Sequence, residues 1–277
     1  MPKSDSSRRY PLEFTVVETS WVTRSMRQVV LTTDDFETFL SRDGGFTDRY
    51  VKLVFCDPDT TYPQPLDLEK VRETLPREAW PVRRTYTVRW IDREARTIAI
   101  DFVVHGDDGI AGPWAAGAQV GDRIHLLGPG GAYAPADDAD WHLIAGDDAA
   151  LPAMCAALEA MPDGAKVQAF IEVDRPQDQQ PITTAADVTV TWLHRDGAPA
   201  GSTSLIADAV RSMDWPQGRA QVFIHGESGL LKALRSHLLD DRGVDRGDLS
   251  FSGYWRKGAD EEGFRVWKAE QAKAAVV

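Results

Sequence analysis

The sequence has only two cysteines, Cys56 and Cys155, far apart and outside any CxxC pair. That scarcity excludes a disulfide framework and a thiolate metal cluster, and it fits a reducing compartment. No run of eighteen apolar residues occurs, so no membrane span is expected. The opening stretch MPKSDSSRRYPLEF carries charge without an apolar centre, so a secretory signal is not expected and the expected location is the cytoplasm. A basic excess is also lacking: Lys and Arg total 31 against 43 Asp and Glu, a net charge of -12. General nucleic-acid binding is therefore not expected, and any anionic partner has to be met by a local cluster of cations. No Rossmann GxGxxG fingerprint, internal repeat or metal-spaced grouping of His, Cys and carboxylates is found, so no metal site is expected.

What is present reads as an ordinary globular chain, 43% hydrophobic and 27% charged. Its 277 residues suit two domains. The first half carries short runs rich in β-branched and aromatic residues: EFTVVET, MRQVVLT, YVKLVFC, RTYTVRW, RTIAIDFVV and RIHLLG. Strands at this density predict a closed barrel or sandwich, with short helices near Leu68–Leu75 and Gly112–Ala118. After GPGG (Gly128–Gly131) the rhythm changes. WHLIAG, KVQAFIEV, VTVTWL, AQVFIHG and LSFSGYW alternate with the helical stretches ALPAMCAALEAM, TSLIADAVRSM and ESGLLKALRSHLLDDRG. Such alternation predicts a parallel sheet covered on both faces. The boundary is expected near residues 131–140, dividing the chain into units 1–135 and 136–277. One more helix is expected over Asp260–Val277.

RRTYTVRW (Arg83–Trp90) crowds three arginines, a tyrosine and two threonines onto one alternating segment. Either it is a strand with a solvated arginine face, or it holds something flat and anionic. In order along the chain follow DFVVHG (Asp101–Gly106), GPWAAGAQVGDRIHLLGPGG (Gly112–Gly131), GDDAALPA (Gly146–Ala153) and GYWRKG (Gly253–Gly258). Taken together, and in this order, these motifs resemble those of the siderophore-interacting protein family, FAD-dependent ferric-siderophore reductases of the ferredoxin-reductase superfamily. The resemblance covers nearly the whole chain after its first dozen residues.

The resemblance implies an N-terminal antiparallel Greek-key β-barrel that binds FAD. A Rossmann-like α/β domain with a parallel sheet then serves NAD(P)H. Alternation puts Arg84 and Tyr86 on one strand face, where the ring suits stacking on an isoalloxazine and the guanidinium suits a pyrophosphate. Thr87 beside them suits the polar edge of the ring. Asp101, Phe102, Val103 and His105 of DFVVHG are expected around the cofactor. Gly109, Ala111 and Gly112 are expected just before a short helix that continues through Trp114 and Ala115, small residues at a helix entry being suited to a phosphate. The plain alternative there is an ordinary helix entry with Pro113 at its first position.

On the NAD(P)H side the resemblance points to Gly146, Asp147, Asp148, Gly226 and Glu227. For Glu227 a carboxylate at a helix start is a sufficient explanation. The family's usual threonine is Ala149 in this sequence, which removes a hydroxyl from the nicotinamide side. Lys52, Arg256 and Lys257 are the candidate cations for an anionic ferric siderophore, with solubility as their plain alternative. No catalytic side chain is implied, since the flavin carries the redox chemistry. The electron donor is expected to be NADPH or NADH. Three alternatives stay open: reduction of another acceptor, an electron-transfer module fed by a ferredoxin, and a siderophore-binding protein without turnover.

Overall fold

A computed structural model describes residues 10–106, 109–259 and 263. The helix expected over Asp260–Val277 lies outside the described residues apart from Gly263. Six strands form the first unit: β1 (Leu12–Thr23), β2 (Met26–Thr32), β3 (Tyr50–Phe55), β4 (Val82–Asp92), β5 (Thr97–Val103) and β6 (Arg123–Gly130). They close into an antiparallel barrel in the order β1-β2-β5-β4-β3-β6. β6 returns to lie beside β3 after the run β3-β4-β5, which is the Greek-key connection. Alternation fills the interior: Val29 and Leu31, Val51 and Leu53, and Ile98, Ile100 and Phe102 all point into one core.

Helix α1 (Phe36–Leu40) plugs one end of this core with Phe36 and Phe39. Helix α2 (Leu68–Thr74), in the β3–β4 connection, starts at Asp67, whose carboxylate accepts from the Glu69 and Lys70 amides. Helix α3 (Ala111–Gly117) seals the barrel with Ala111 and Ala115. It begins at Ala111, so Ala111 and Gly112 form its first turn rather than precede it, and Pro113 stands third, not first. The leading amides of a helix have no intrahelical acceptor, so proline is tolerated throughout that turn.

The second unit is a five-stranded parallel sheet of β7 (Trp141–Gly146), β8 (Lys166–Val173), β9 (Asp187–His194), β10 (Ala220–Glu227) and β11 (Leu249–Trp255). Its order is β11-β10-β7-β8-β9, so chain direction across the sheet reverses between β7 and β10. Helices α5 (Leu205–Ser212) and α6 (Ser228–Ser236) cover one face, packing in the cluster of Leu143, Ala145, Val222 and Ile224. The other face takes α4 (Leu151–Glu159).

Every residue of α4 from Leu151 to Leu158 is buried. An all-round apolar helix needs cover on both sides, and here the sheet supplies one side and the barrel the other. Met26 and Val103 of the barrel enter the same cluster. Ion pairs close the edges of this seam: Arg89 of β4 forks onto Glu159, and Arg24 reaches Asp174 and Asp178. The connection 131–140 is held from both units. Asp48 accepts from the Ala132 and Tyr133 amides, while Gln221 of β10 bonds Ala136, Ala134 and the Tyr133 hydroxyl.

Candidate functional site at the seam of barrel and sheet

Strand β4 builds the centre of the site. Its alternation sends Tyr86 and Val88 toward the barrel core and Thr85, Thr87 and Arg89 to the opposite face, where Thr87 and Arg89 meet the second unit. The Tyr86 ring is only partly buried and is backed by Phe102 at 4.5 Å. Phe102 in turn meets Trp114 of α3 at 5.7 Å, and Trp114 meets Phe55 at 6.0 Å. Tyr86 is thus a flat ring with a rigid aromatic backing, which suits stacking against a planar ligand. Arg84, two residues along the same face, is half-buried and donates to the Arg83 carbonyl.

The loop after β5 exposes His105, Gly106, Gly109 and Ile110. Gly106 and Gly109 take positive φ, and an added Cβ on either would meet nothing within 4 Å. At Gly112 an added Cβ would lie 3.4 Å from the Val103 carbonyl oxygen, so α3 approaches β5 closely there. A flat ring on Tyr86, a cation beside it and an open glycine-bearing loop fit a flavin nucleotide.

Other expected residues have partners within the protein. Asp101 alternates outward from Ile100 and Phe102 to the domain seam, where it accepts from Gln28 at 2.8 Å. Burial raises its pKa, partly offset by Gln28 and by the nearby Arg89 charge. Phe102 is fully buried and Val103 packs against the α4 cluster. Ala111 and Ala115 belong to the barrel core.

The carboxyl ends of β7 and β10 converge on Asp147. One of its oxygens accepts from the Ala149 and Ala150 amides at 3.1 and 3.3 Å. The other accepts from the Glu227 amide and the Trp255 indole, both at 2.8 Å. Burial outweighs these donors and pushes the carboxyl up to about 6. The two glycines exist for this junction. An added Cβ on Gly146 would lie 2.7 Å from the His225 carbonyl, and on Gly226, at φ 133°, 2.7 Å from the Asp147 carboxylate. Glu227 caps α6 by accepting from Gly229 and also takes the Lys257 amide. Asp148 pairs with Arg195 at 2.6 Å, and Arg195 also reaches Glu172 at 3.5 Å.

A further side-chain contact between the units, also undisclosed by the sequence, lies beside Thr87. Thr87 on β4 stands beside the phenol of Tyr254 on β11. Burial holds that phenol far above its ordinary range. Tyr254 in turn bonds His225 Nδ1 at 3.1 Å, and His225 Nε2 bonds Ser250 at 2.9 Å. Strand alternation alone would have placed Ser250 and Tyr254 on one face, but not which residues they meet.

The candidate cations stand on β3, which pairs with β4, and just after β11. Lys52 is exposed on β3 opposite Thr85, two residues along from Thr87. Arg256 and Lys257 directly follow β11, Arg256 half-buried and Lys257 exposed. Arg83 shares the outward face of Thr85 and lines a small groove with Arg72 and Trp80; the parity of β4 was the signal for it. Among the described residues no group of three His, Cys, Asp or Glu stands close enough to hold a metal ion. Nor is any described helix long and apolar enough to cross a membrane.

Two family models match the chain: the siderophore-interacting FAD-binding domain over residues 15–133, and the siderophore-interacting protein model over residues 139–258. The ferric vibriobactin reductase of Vibrio cholerae is 33% identical over 94% of this chain and 95% of its own. The NADPH-dependent ferric-chelate reductase of Escherichia coli is 27% identical, covering 88% of this chain and 92% of its own. Among solved structures, a siderophore utilization protein from T. fusca superposes with a TM-score of 0.77 at 37% identity, over 91% of this chain and 96% of its own.

Proposed function

From the premise that the chain belongs to the siderophore-interacting protein family, we propose that its seam holds FAD and passes electrons to chelated iron. The protein is an FAD-dependent ferric-siderophore reductase that uses NAD(P)H and releases Fe(II). The carrying observation is β4, with Tyr86 backed by Phe102, Arg84 on the same face and Thr87 beside the second unit.

When bound, FAD supplies the conversion of one hydride into two single electrons. The chain supplies binding, orientation and charge. Residues 1–135 hold the flavin, and residues 136–277 present the nucleotide and close the pocket. Tyr86 stacks on the ring, Arg84 turns from the Arg83 carbonyl to the pyrophosphate, and Thr87 bonds the polar edge. His105 and the loop to Gly112 border the rest of the cofactor. Asp101 and Phe102 act from behind, by fixing β5 and the Tyr86 ring. Gly146, Asp147, Asp148, Gly226 and Glu227 shape the nicotinamide side.

Lys52, Arg256 and Lys257 draw in an anionic ferric siderophore. These local cations matter because a net charge of -12 repels such a complex at long range. Iron is the substrate here. Hard oxygen donors of a siderophore hold Fe(III) better than Fe(II), so reduction loosens the grip without protein ligation. Two unpaired cysteines, Cys56 and Cys155, support a cytoplasmic setting.

A second reading replaces the nucleotide with a ferredoxin as donor. Its support is the Trp255–Asp147 bond, which fills the reversal point of the sheet, together with the missing hydroxyl at Ala149. An anaerobic titration with NADH, NADPH and reduced ferredoxin tests both readings. Bleaching of the flavin by a nucleotide, followed by Fe(II) release from an added ferric siderophore, is the expected result. Bleaching by ferredoxin alone would select the second reading, and a purified protein without flavin would remove both.

A further inference from the structure

A file runs from Thr87, beside the Tyr254 phenol, through the hydrogen-bonded Tyr254, His225 and Ser250. It starts on the barrel strand assigned above to the flavin and ends on β11, an edge strand of the sheet, where Ser250 is partly exposed. Between these ends Tyr254 is partly buried. Thr87 is buried, and His225 is fully buried and stacked on Phe223 at 3.7 Å. A buried imidazole bonded through both nitrogens to hydroxyls is an unusual thing to place in a strand whose neighbours are Phe223 and Ile224. For structure alone an apolar side chain would serve.

The reaction has a use for it. One reduced nucleotide and two ferric ions give NADP+, two ferrous ions and one proton. The electrons leave with the iron, and the proton is left in the seam. We propose that the file Thr87–Tyr254–His225–Ser250 carries this proton from the flavin edge to solvent, an inference that rests on the cofactor placement proposed above. Each member gives one proton and receives one. Thr87 passes a proton to the Tyr254 oxygen as Tyr254 passes its own to His225 Nδ1. His225 releases the proton on Nε2 to Ser250, and Ser250 releases one to water. No member changes its net charge. The transfer reverses the tautomer of His225, and rotation of the hydroxyls resets the file. Asp48 and Asp147 are the charged groups acting on the phenol, and both favour its neutral form.

The test uses two conservative variants, Tyr254→Phe and Ser250→Ala. Protein reduced by NADPH is mixed anaerobically with ferricyanide, a one-electron acceptor that takes no proton. Flavin absorbance follows the electrons and an indicator dye in weak buffer follows the proton. In the wild type the two should run together. In Tyr254→Phe proton release should lag by about a hundredfold, the lower side of what a placed proton carrier contributes. Added imidazole should rescue it. Release that keeps pace with oxidation in both variants would overturn the proposal. A separate reading comes from the ring nitrogens of His225, followed by nitrogen NMR on the purified protein. Tyr254→Phe should shift Nδ1, and Ser250→Ala should shift Nε2. Unmoved resonances would mean that the file does not form. A preparation that binds no FAD fails the cofactor placement instead, and that outcome shows directly in the absorbance.

Discussion

Replacing Asp147 with Asn turns the most enclosed carboxylate of the site into a measurable quantity. The native carboxyl sits at about 6, against 3.8 for the free side chain, chiefly because burial penalises its charge. A folded pKa above the unfolded one favours folding at low pH. That contribution is complete below about pH 4 and is lost as pH rises to about 6, because the unfolded chain ionises first. The gap of about two units corresponds to roughly 3 kcal/mol at 1.36 kcal/mol per unit. Asn cannot ionise, so it lacks this slope. It also offers one acceptor oxygen where the carboxylate serves four donors on two, and its amide faces the Glu227 and Trp255 N–H groups or those of Ala149 and Ala150. At pH 4 the wild-type carboxyl is itself neutral and also turns a hydroxyl toward one donor pair, so the variant's deficit there should be about 1–3 kcal/mol, the cost of one further buried donor left unmatched. By pH 7.5 the balance should shift by about 3 kcal/mol in the variant's favour, since only the wild type has lost stability in between. Urea unfolding of both proteins at pH 4, 5, 6 and 7.5 measures the difference directly. It also cancels the opposite contributions of Asp174 and Asp248, whose pKa values are lowered. A deficit that stays constant, or grows, with pH would show that the four donors outweigh burial and that Asp147 is charged throughout.

Further outcomes follow from the same site. Arg84→Ala should weaken FAD retention by about 1.5–3 kcal/mol, the scale of a charge-assisted bond, and unchanged FAD content after dialysis would contradict its role. Ala149→Thr should speed anaerobic bleaching of the flavin by NADPH; an unaltered rate would make the missing hydroxyl neutral. Neutralising Lys52 or Lys257 with Gln should raise the Michaelis constant for an anionic ferric siderophore and leave flavin reduction unchanged, with the effect shrinking as salt rises. An equal loss with an uncharged iron chelate would point to damaged packing.

The strands and helices were legible because their signals are local. MRQVVLT, WHLIAG, KVQAFIEV and LSFSGYW coincide with β2, β7, β8 and β11 at both ends. Helix α1 was not read, although Phe36, Phe39 and Leu40 carry helical spacing, because five residues are too few to establish a period. The seam was illegible for a different reason. Arg89 meets Glu159 across 70 positions and Arg24 meets Asp178 across 154, and no pattern within either segment names its partner. Asp147 shows the same limit. GDD marked a turn, but the closeness of Gly226 and Trp255 that turns its carboxylate into a junction depends on the sheet order. In the same way, β4 disclosed Tyr86 and Arg84 by alternation, while the Thr87–Tyr254 contact needed the second unit in place.

The clamped connection between the units governs how electrons travel. Asp48 grips Ala132 and Tyr133 from the barrel side, and Gln221 grips Ala134 and Ala136 from the sheet side. With α4 wedged between barrel and sheet, this linker is not a swivel. The flavin then cannot be carried to a distant acceptor on a travelling domain. Tunnelling distances inside the protein are set once, at folding. Among iron complexes of similar reduction potential, what varies is how near the metal centre can be brought to a stationary donor, so the bulk and shape of the chelate should set their relative rates.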